Sequence, residues 1–231
     1  MNVVLHDFGN GDGPIPARKH KNGGGWVSTE ATVHPDARIE NEAMVIGRAR
    51  LGPQAVLRDQ SSIVGDVQIT GEALLEDRAS IKDRVRIDGA IAMSGSSTIG
   101  EDAWVQKDAI LTVSRQASMR GDAIILNGET GLDGMAVVAG FSRLSGNLYF
   151  SDAITVNAEL DDNPRMIIKG MHLLDFILDE YGVIWFCVEG RPIRFDLKAG
   201  EYDDNLKALS NITHLEKLKK LRSFLQSKIS H

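Results

Sequence analysis

The sequence predicts a mainly β protein whose short strands wind into the stacked coils of a parallel β-helix. Three observations carry that reading: a strict six-residue hydrophobic period, 23 glycines, and aromatic side chains held to 6% of 231 residues. Every sixth residue from Val33 reads Val33, Ile39, Val45, Leu51, Leu57, Ile63, Ile69, Leu75, Ile81, Ile87, Met93, Ile99, Val105 and Leu111. Two places before each of them stands a residue that is Ala, Ser or Val in thirteen cases of fourteen, Ile91 being the other. A helix repeats every 3.6 residues and a plain strand every two, so neither alone yields six. A hexapeptide period is the mark of coils built from short parallel strands. The small and the aliphatic residue lie two apart, share one face of a strand and point inward. The residue between them (Thr32, Arg38, Met44, Arg50) points outward, and the remaining three form a polar or glycine-rich corner.

The pattern resembles the left-handed parallel β-helix of the hexapeptide-repeat family, best known from bacterial acyltransferases. The resemblance spans residues 20 to 111 and implies triangular coils of three hexapeptides, with the aliphatic side chains stacked along the prism. The run Asn22-Gly23-Gly24-Gly25-Trp26-Val27 is also similar to the lead-in of uncharacterised bacterial and phage hexapeptide proteins. Residues eighteen apart should then lie directly above one another. One outward column reads Arg48, Asp66, Arg84, Asp102 and a second reads Glu40, Arg58, Glu76. Neighbouring strands sit about 4.8 Å apart, so alternating signs attract along such columns.

The period divides the chain into an N-terminal cap over 1–30, a repeat region over 31–160 and a C-terminal module over 161–231. In the cap, glycine and proline turns lead to Trp26, an aromatic placed to plug the first coil. Within the repeats the register falters over 112–131. It recovers at Leu132, Val138, Leu144, Phe150 and Val156, offset by three residues, as though half a hexapeptide were inserted near 119–129. Beyond the turn signal Asp161-Asp162-Asn163-Pro164 the pattern becomes α+β. Strands are expected at 165–168, 182–188 and 193–197, and a short apolar helix at 171–181. An amphipathic helix over 203–229 has Thr213 and Glu216 as a capping box. Leu215, Leu218, Leu221, Leu225 and Ile229 line one side of it, against Lys217, Lys219, Lys220 and Arg222 on the other. The whole reads as a left-handed parallel β-helix with a small C-terminal α+β segment ending in an amphipathic helix.

Composition narrows the function. Twenty-six basic and thirty-two acidic side chains give a net charge of −6, which argues against nucleic acid as a partner. Apolar runs are too short to cross a bilayer, and no secretory signal is visible at the N-terminus. One cysteine, Cys187, forms no internal disulfide and fits a reducing, cytoplasmic setting. Its place in an apolar strand suits a buried thiol rather than a nucleophile.

Candidate chemistry is sparse. In the acyltransferases a histidine on a middle coil acts as general base. Here only His34 lies in the repeat, in the first hexapeptide, within a Val33-His34-Pro35-Asp36 turn of the kind that the family uses as a corner. His6, Asp7 and His20 lack the spacing of a metal site, and the glycine run lacks the lysine and helix of a phosphate loop. No catalytic residue, metal or cofactor is therefore assigned. The chain reads as a non-catalytic binding or structural protein, a rigid scaffold with the C-terminal module available to a protein partner. Two alternatives are an acyl- or nucleotidyl-type transferase of the hexapeptide-repeat family, and a mobile-element, phage-related protein that inhibits a host protein. A homo-oligomer, dimer or trimer, is expected through the outward column Val56, Leu74, Ala92, Ile110, or through Leu215, Leu218, Leu221 and Leu225 of the terminal helix.

Overall fold

The computed structural model describes residues 2–151 and 154–156, and by backbone alone 159–160, 176–178, 183–188, 191–196 and 201–202. Over 27–156 the chain is a parallel β-solenoid with three strand-bearing faces. On the first face Val27, Val45, Ile63, Ile81, Ile99, Met119, Val138 and Val156 pair one coil to the next. The second face carries Val33, Leu51, Ile69, Ile87, Val105, Ile125 and Leu144. The third carries Ile39, Leu57, Leu75, Met93, Val113, Leu132 and Phe150. Apart from Val33, which is partly buried, every one of these is buried in a single continuous core. Their small companions two places earlier are buried too, from Ala31 to Ile154. Small residues at alternate inward positions leave room for the aliphatic chains to meet at the prism axis, which is why the core needs so few aromatics.

The eighteen-residue stack holds from Val27 to Val105 and then changes in two steps. Ile91 opposes Leu111 and Met93 opposes Val113, a separation of twenty, so two residues are inserted between Val105 and Asp108. In the next coil Ala109 opposes Gly128 and Val113 opposes Leu132, a separation of nineteen, so one further residue enters after Ile125. The expected offset of three is thus correct in sum, but it is not a single insertion near 119–129. At both steps the extra residues sit in long strands, Trp104–Val113 and Ile124–Leu132, that run through one corner and join the second face to the third.

The first coil is entered differently from expectation. Gly25 and Val27 occupy the small and aliphatic inward positions of the same six-residue frame, and Val27 is fully buried. Trp26, between them, therefore points out of the prism and does not plug it. Val4–His6, Ile15–Lys19 and Trp26–Ser28 form an antiparallel meander that continues the first face beyond its first coil. Outside the prism Phe8, Ala17 and Ile46 are buried together, with Ile15, Trp26, Met44 and Val64 packed around them. The edge of the third face is covered by the glycine loop: Gly25 N–H donates to Ile39 O at 2.7 Å, and Ile39 N–H donates to Asn22 O at 3.0 Å. A Cβ on Gly25 would lie 2.5 Å from Ile39 Cγ2, so only glycine admits this approach.

At the other end Phe176–Leu178 pairs antiparallel with Leu148–Phe150 and begins a meander through Val183–Val188, Arg191–Asp196 and Glu201–Tyr202. The strands expected at 182–188 and 193–197 are present with small shifts of boundary. The helix expected at 171–181 is contradicted at its centre: Phe176, Ile177 and Leu178 extend to complete the edge that Leu148–Phe150 leaves open. The strand expected at 165–168 and the amphipathic helix over 203–229 lie outside the described residues. Among those residues no helix is long and apolar enough to cross a membrane.

Candidate functional site

Side chains in the corners meet their counterparts one coil away. Arg48 donates two hydrogen bonds to Asp66, both at 2.7 Å, and Arg84 donates two to Asp102 at 2.6 and 2.5 Å. Among the described residues no ion pair joins Asp66 to Arg84, so this column closes in pairs. Each forked contact engages both oxygens of its carboxylate. Arg58 stands between Glu76 at 3.0 Å and Glu40 at 3.5 Å, as the column predicts.

A second cluster centres on Asp88. Thr70 Oγ1 donates to Oδ1 at 2.8 Å, while Arg86 Nε at 2.6 Å and Trp104 Nε1 at 2.9 Å donate to Oδ2. Burial raises the Asp88 pKa, but the three donors outweigh it and hold the carboxyl below its ordinary value. The Arg86 guanidinium also lies 5.0 Å from the Trp104 ring centroid. Both Asp88 oxygens are engaged by neighbouring side chains, and through Thr70 and Trp104 the cluster fastens adjacent coils.

The sequence candidates are not brought together. His34 is exposed in its turn, where Nδ1 accepts the Asp36 N–H at 3.2 Å. His20 is buried, its Nδ1 3.2 Å from Asn22 O in the glycine loop. No cluster of His, Cys, Asp or Glu able to hold a metal occurs among the described residues. Within the proposed interface column, Val56 opposes Leu74 and Leu74 opposes Ala92. Ala92 then opposes Thr112, and Ile110 opposes Ala90 in the neighbouring column. The two-residue insertion has moved Ile110 off the stripe. Leu215, Leu218, Leu221 and Leu225 lie outside the described residues.

The concavity that the sequence did not suggest is at the N-terminal end of the first face. The His6 ring stacks on Trp26 with centroids 3.8 Å apart and planes 13° from parallel. Lys19 Nζ lies 4.2 Å from the same indole centroid. Burial lowers the His6 pKa and the Lys19 charge lowers it further, against a smaller opposing pull from Asp7. Beside this stack opens a groove of about 500 Å³, with Trp26, Met44 and His6 at its apolar end. Along its polar side Gln60 donates to Glu42 at 3.2 Å and Arg78 donates to Gln60 at 3.3 Å, three side chains linked at eighteen-residue spacing. A shallower hollow of about 440 Å³ shares Asn41, Glu42, Gln60 and Arg78 and adds Asp59 and Asp77. One signal in the sequence points here. The six-residue frame run back from Val33 reaches Val27 and Gly25, and that places Trp26 outside.

No protein-family model, no curated protein and no solved structure matches the chain.

Proposed function

We propose that the chain is a non-catalytic binding protein built on a left-handed hexapeptide-repeat β-helix. The observation that carries this reading is His34, the sole histidine of the regular repeat, whose Nδ1 is engaged by the backbone of its own turn at 3.2 Å. A neutral imidazole that accepts at Nδ1 carries its proton on Nε2, and so has no free lone pair with which to serve as a general base. The polar ladders support the same reading, because Arg48, Arg58, Arg84 and Asp88 engage neighbouring coils and stiffen the scaffold. The hexapeptide period and the three-faced coils support the left-handed family as its architectural home. In this reading two or three copies associate through the column of Val56 and Leu74, and the C-terminal module is free to meet a protein partner.

Thermal melting with acyl-coenzyme A donors tests the proposal. Melting indifferent to the donors, with no acyl transfer to amine or hydroxyl acceptors, is the expected result. Saturable stabilisation that His34→Ala abolishes, together with turnover, would overturn it. The mass in solution tests the assembly: an oligomer that Leu74→Lys dissociates is expected, and a 25.2 kDa monomer would contradict it.

A further inference from the structure

We propose that the groove beside Trp26 binds an organic carboxylate, its carbon chain along Trp26 and Met44 and its carboxylate on Lys19. This deepens the binding-protein reading, on which it rests, by naming the ligand class.

The chemistry of the groove favours that occupant over others. Lys19 makes no ion pair among the described residues, although its ammonium is placed against the groove by the Trp26 ring. Glu42, the acid in the lining of this groove, already accepts a hydrogen bond from Gln60. Arg78 is tied to the same Gln60, so Lys19 is the charged side chain of this lining left open to a ligand. An anion is therefore the complementary partner, and Lys19 is the cation left to receive it. His6 reinforces this, because desolvation and Lys19 both hold its ring toward the neutral form, in which it acts as an apolar wall.

The shape then selects a chain over a flat ring. His6 covers one face of the indole at 3.8 Å. An ammonium 4.2 Å from the same centroid must take the opposite face. With both faces covered, a sugar or aromatic ring has no platform to stack upon. The indole edge and the Met44 thioether remain, a narrow apolar wall that suits methylene groups. The strands running from Lys19 through Trp26, Met44 and Ser62 to Ser80, two residues past Arg78, cover about four spacings, roughly 19 Å. An extended chain of eight to ten carbons fits within that length.

Octanoate below its micelle concentration is the direct probe, with octanol and sulfate as the uncharged and chain-free controls. The His6 ring protons report by NMR. Burial and the Lys19 charge both act on this ring, so octanoate bound beside it should shift the His6 proton resonances saturably. Lys19→Gln should weaken octanoate roughly tenfold, the scale of one charge-assisted contact, and octanol and sulfate should bind no better than that variant. Octanol binding as tightly as octanoate, an unchanged affinity in Lys19→Gln, or no saturation would each overturn the proposal. These outcomes leave the non-catalytic reading intact, since acyl transfer is measured separately.

Discussion

Asp77 accepts a hydrogen bond through Oδ2 from the backbone N–H of Gly95, one coil further on, at 2.9 Å. Asp59 does the same for Asp77 at 3.2 Å. All three lie in one corner column that continues from Asn41 to Arg115, and every member has φ between 53° and 69°. Aspartate and asparagine tolerate this left-handed region better than most residues because their short side chains bond nearby backbone. Two carboxylates stacked at one coil spacing would repel, yet each is engaged by the coil after it. The corner is thus a ladder of side-chain caps.

Asp77→Ala removes the acceptor for Gly95 and puts in the left-handed region a residue with no side-chain oxygen to support it. Urea unfolding should show a loss of about 1–2 kcal/mol, with Asp77→Asn losing less than half as much. Equal losses in the two variants would mean that the side-chain oxygen has no part in the corner.

Asp88 supplies a pH-dependent contribution. Its folded-state pKa is depressed, because donation from Thr70, Trp104 and Arg86 overcomes the cost of burial. A depressed carboxylate stabilises the fold above its unfolded value of about 3.9, and that stabilisation disappears as pH falls through the lower folded value. Asp88→Asn should therefore be less stable than wild type at pH 7, and the difference should shrink below about pH 4. Denaturant midpoints measured from pH 7 to pH 2.5 check this. A difference that grows on acidification would refute it.

Ser61 and Ser97 occupy inward small positions, fully buried, and their hydroxyls have no hydrogen-bond partner among the described residues. An unpaired buried hydroxyl costs about 1–3 kcal/mol relative to an apolar group of the same shape. Ser61→Ala and Ser97→Ala, which match Ala79 between them in the stack, should raise stability or leave it unchanged. A loss above about 1 kcal/mol in either would show that the hydroxyl is bonded inside the prism.

Much of this architecture was legible because it is periodic. Ile63 and Ile81 announce their burial by spacing alone, and the ion pairs Arg48–Asp66 and Arg84–Asp102 follow from the same eighteen-residue arithmetic. The first insertion was hidden by parity. Adding two residues preserves the alternation of inward and outward side chains, so Ala109 and Leu111 remain buried and the period seems unbroken. Only the odd residue added after Ile125 reversed the alternation and made the slip visible. The groove was invisible for another reason: Lys19, Trp26, Glu42 and Arg78 are brought together by stacking, from segments that share no motif. The strand at Phe176–Leu178 was misread because a short apolar run fits helix or strand equally, and the open edge at Leu148–Phe150 decides between them.

The coil register sets every contact between coils, and its least obvious consequence is that Ala92 faces Thr112 and not Ile110. Adjacent parallel strands hold directly opposed residues about 4.8 Å apart, within the reach of a disulfide, whereas a residue two places along is about 8 Å away. In a Cys187→Ser background, Ala92→Cys paired with Thr112→Cys should therefore oxidise to an intramolecular disulfide under mild conditions. Ala92→Cys paired with Ile110→Cys should stay reduced under the same conditions. Mass spectrometry of the two digests reads the result directly. A disulfide formed by the Ile110 pair in preference to the Thr112 pair would contradict the two-residue insertion and the stacking built on it.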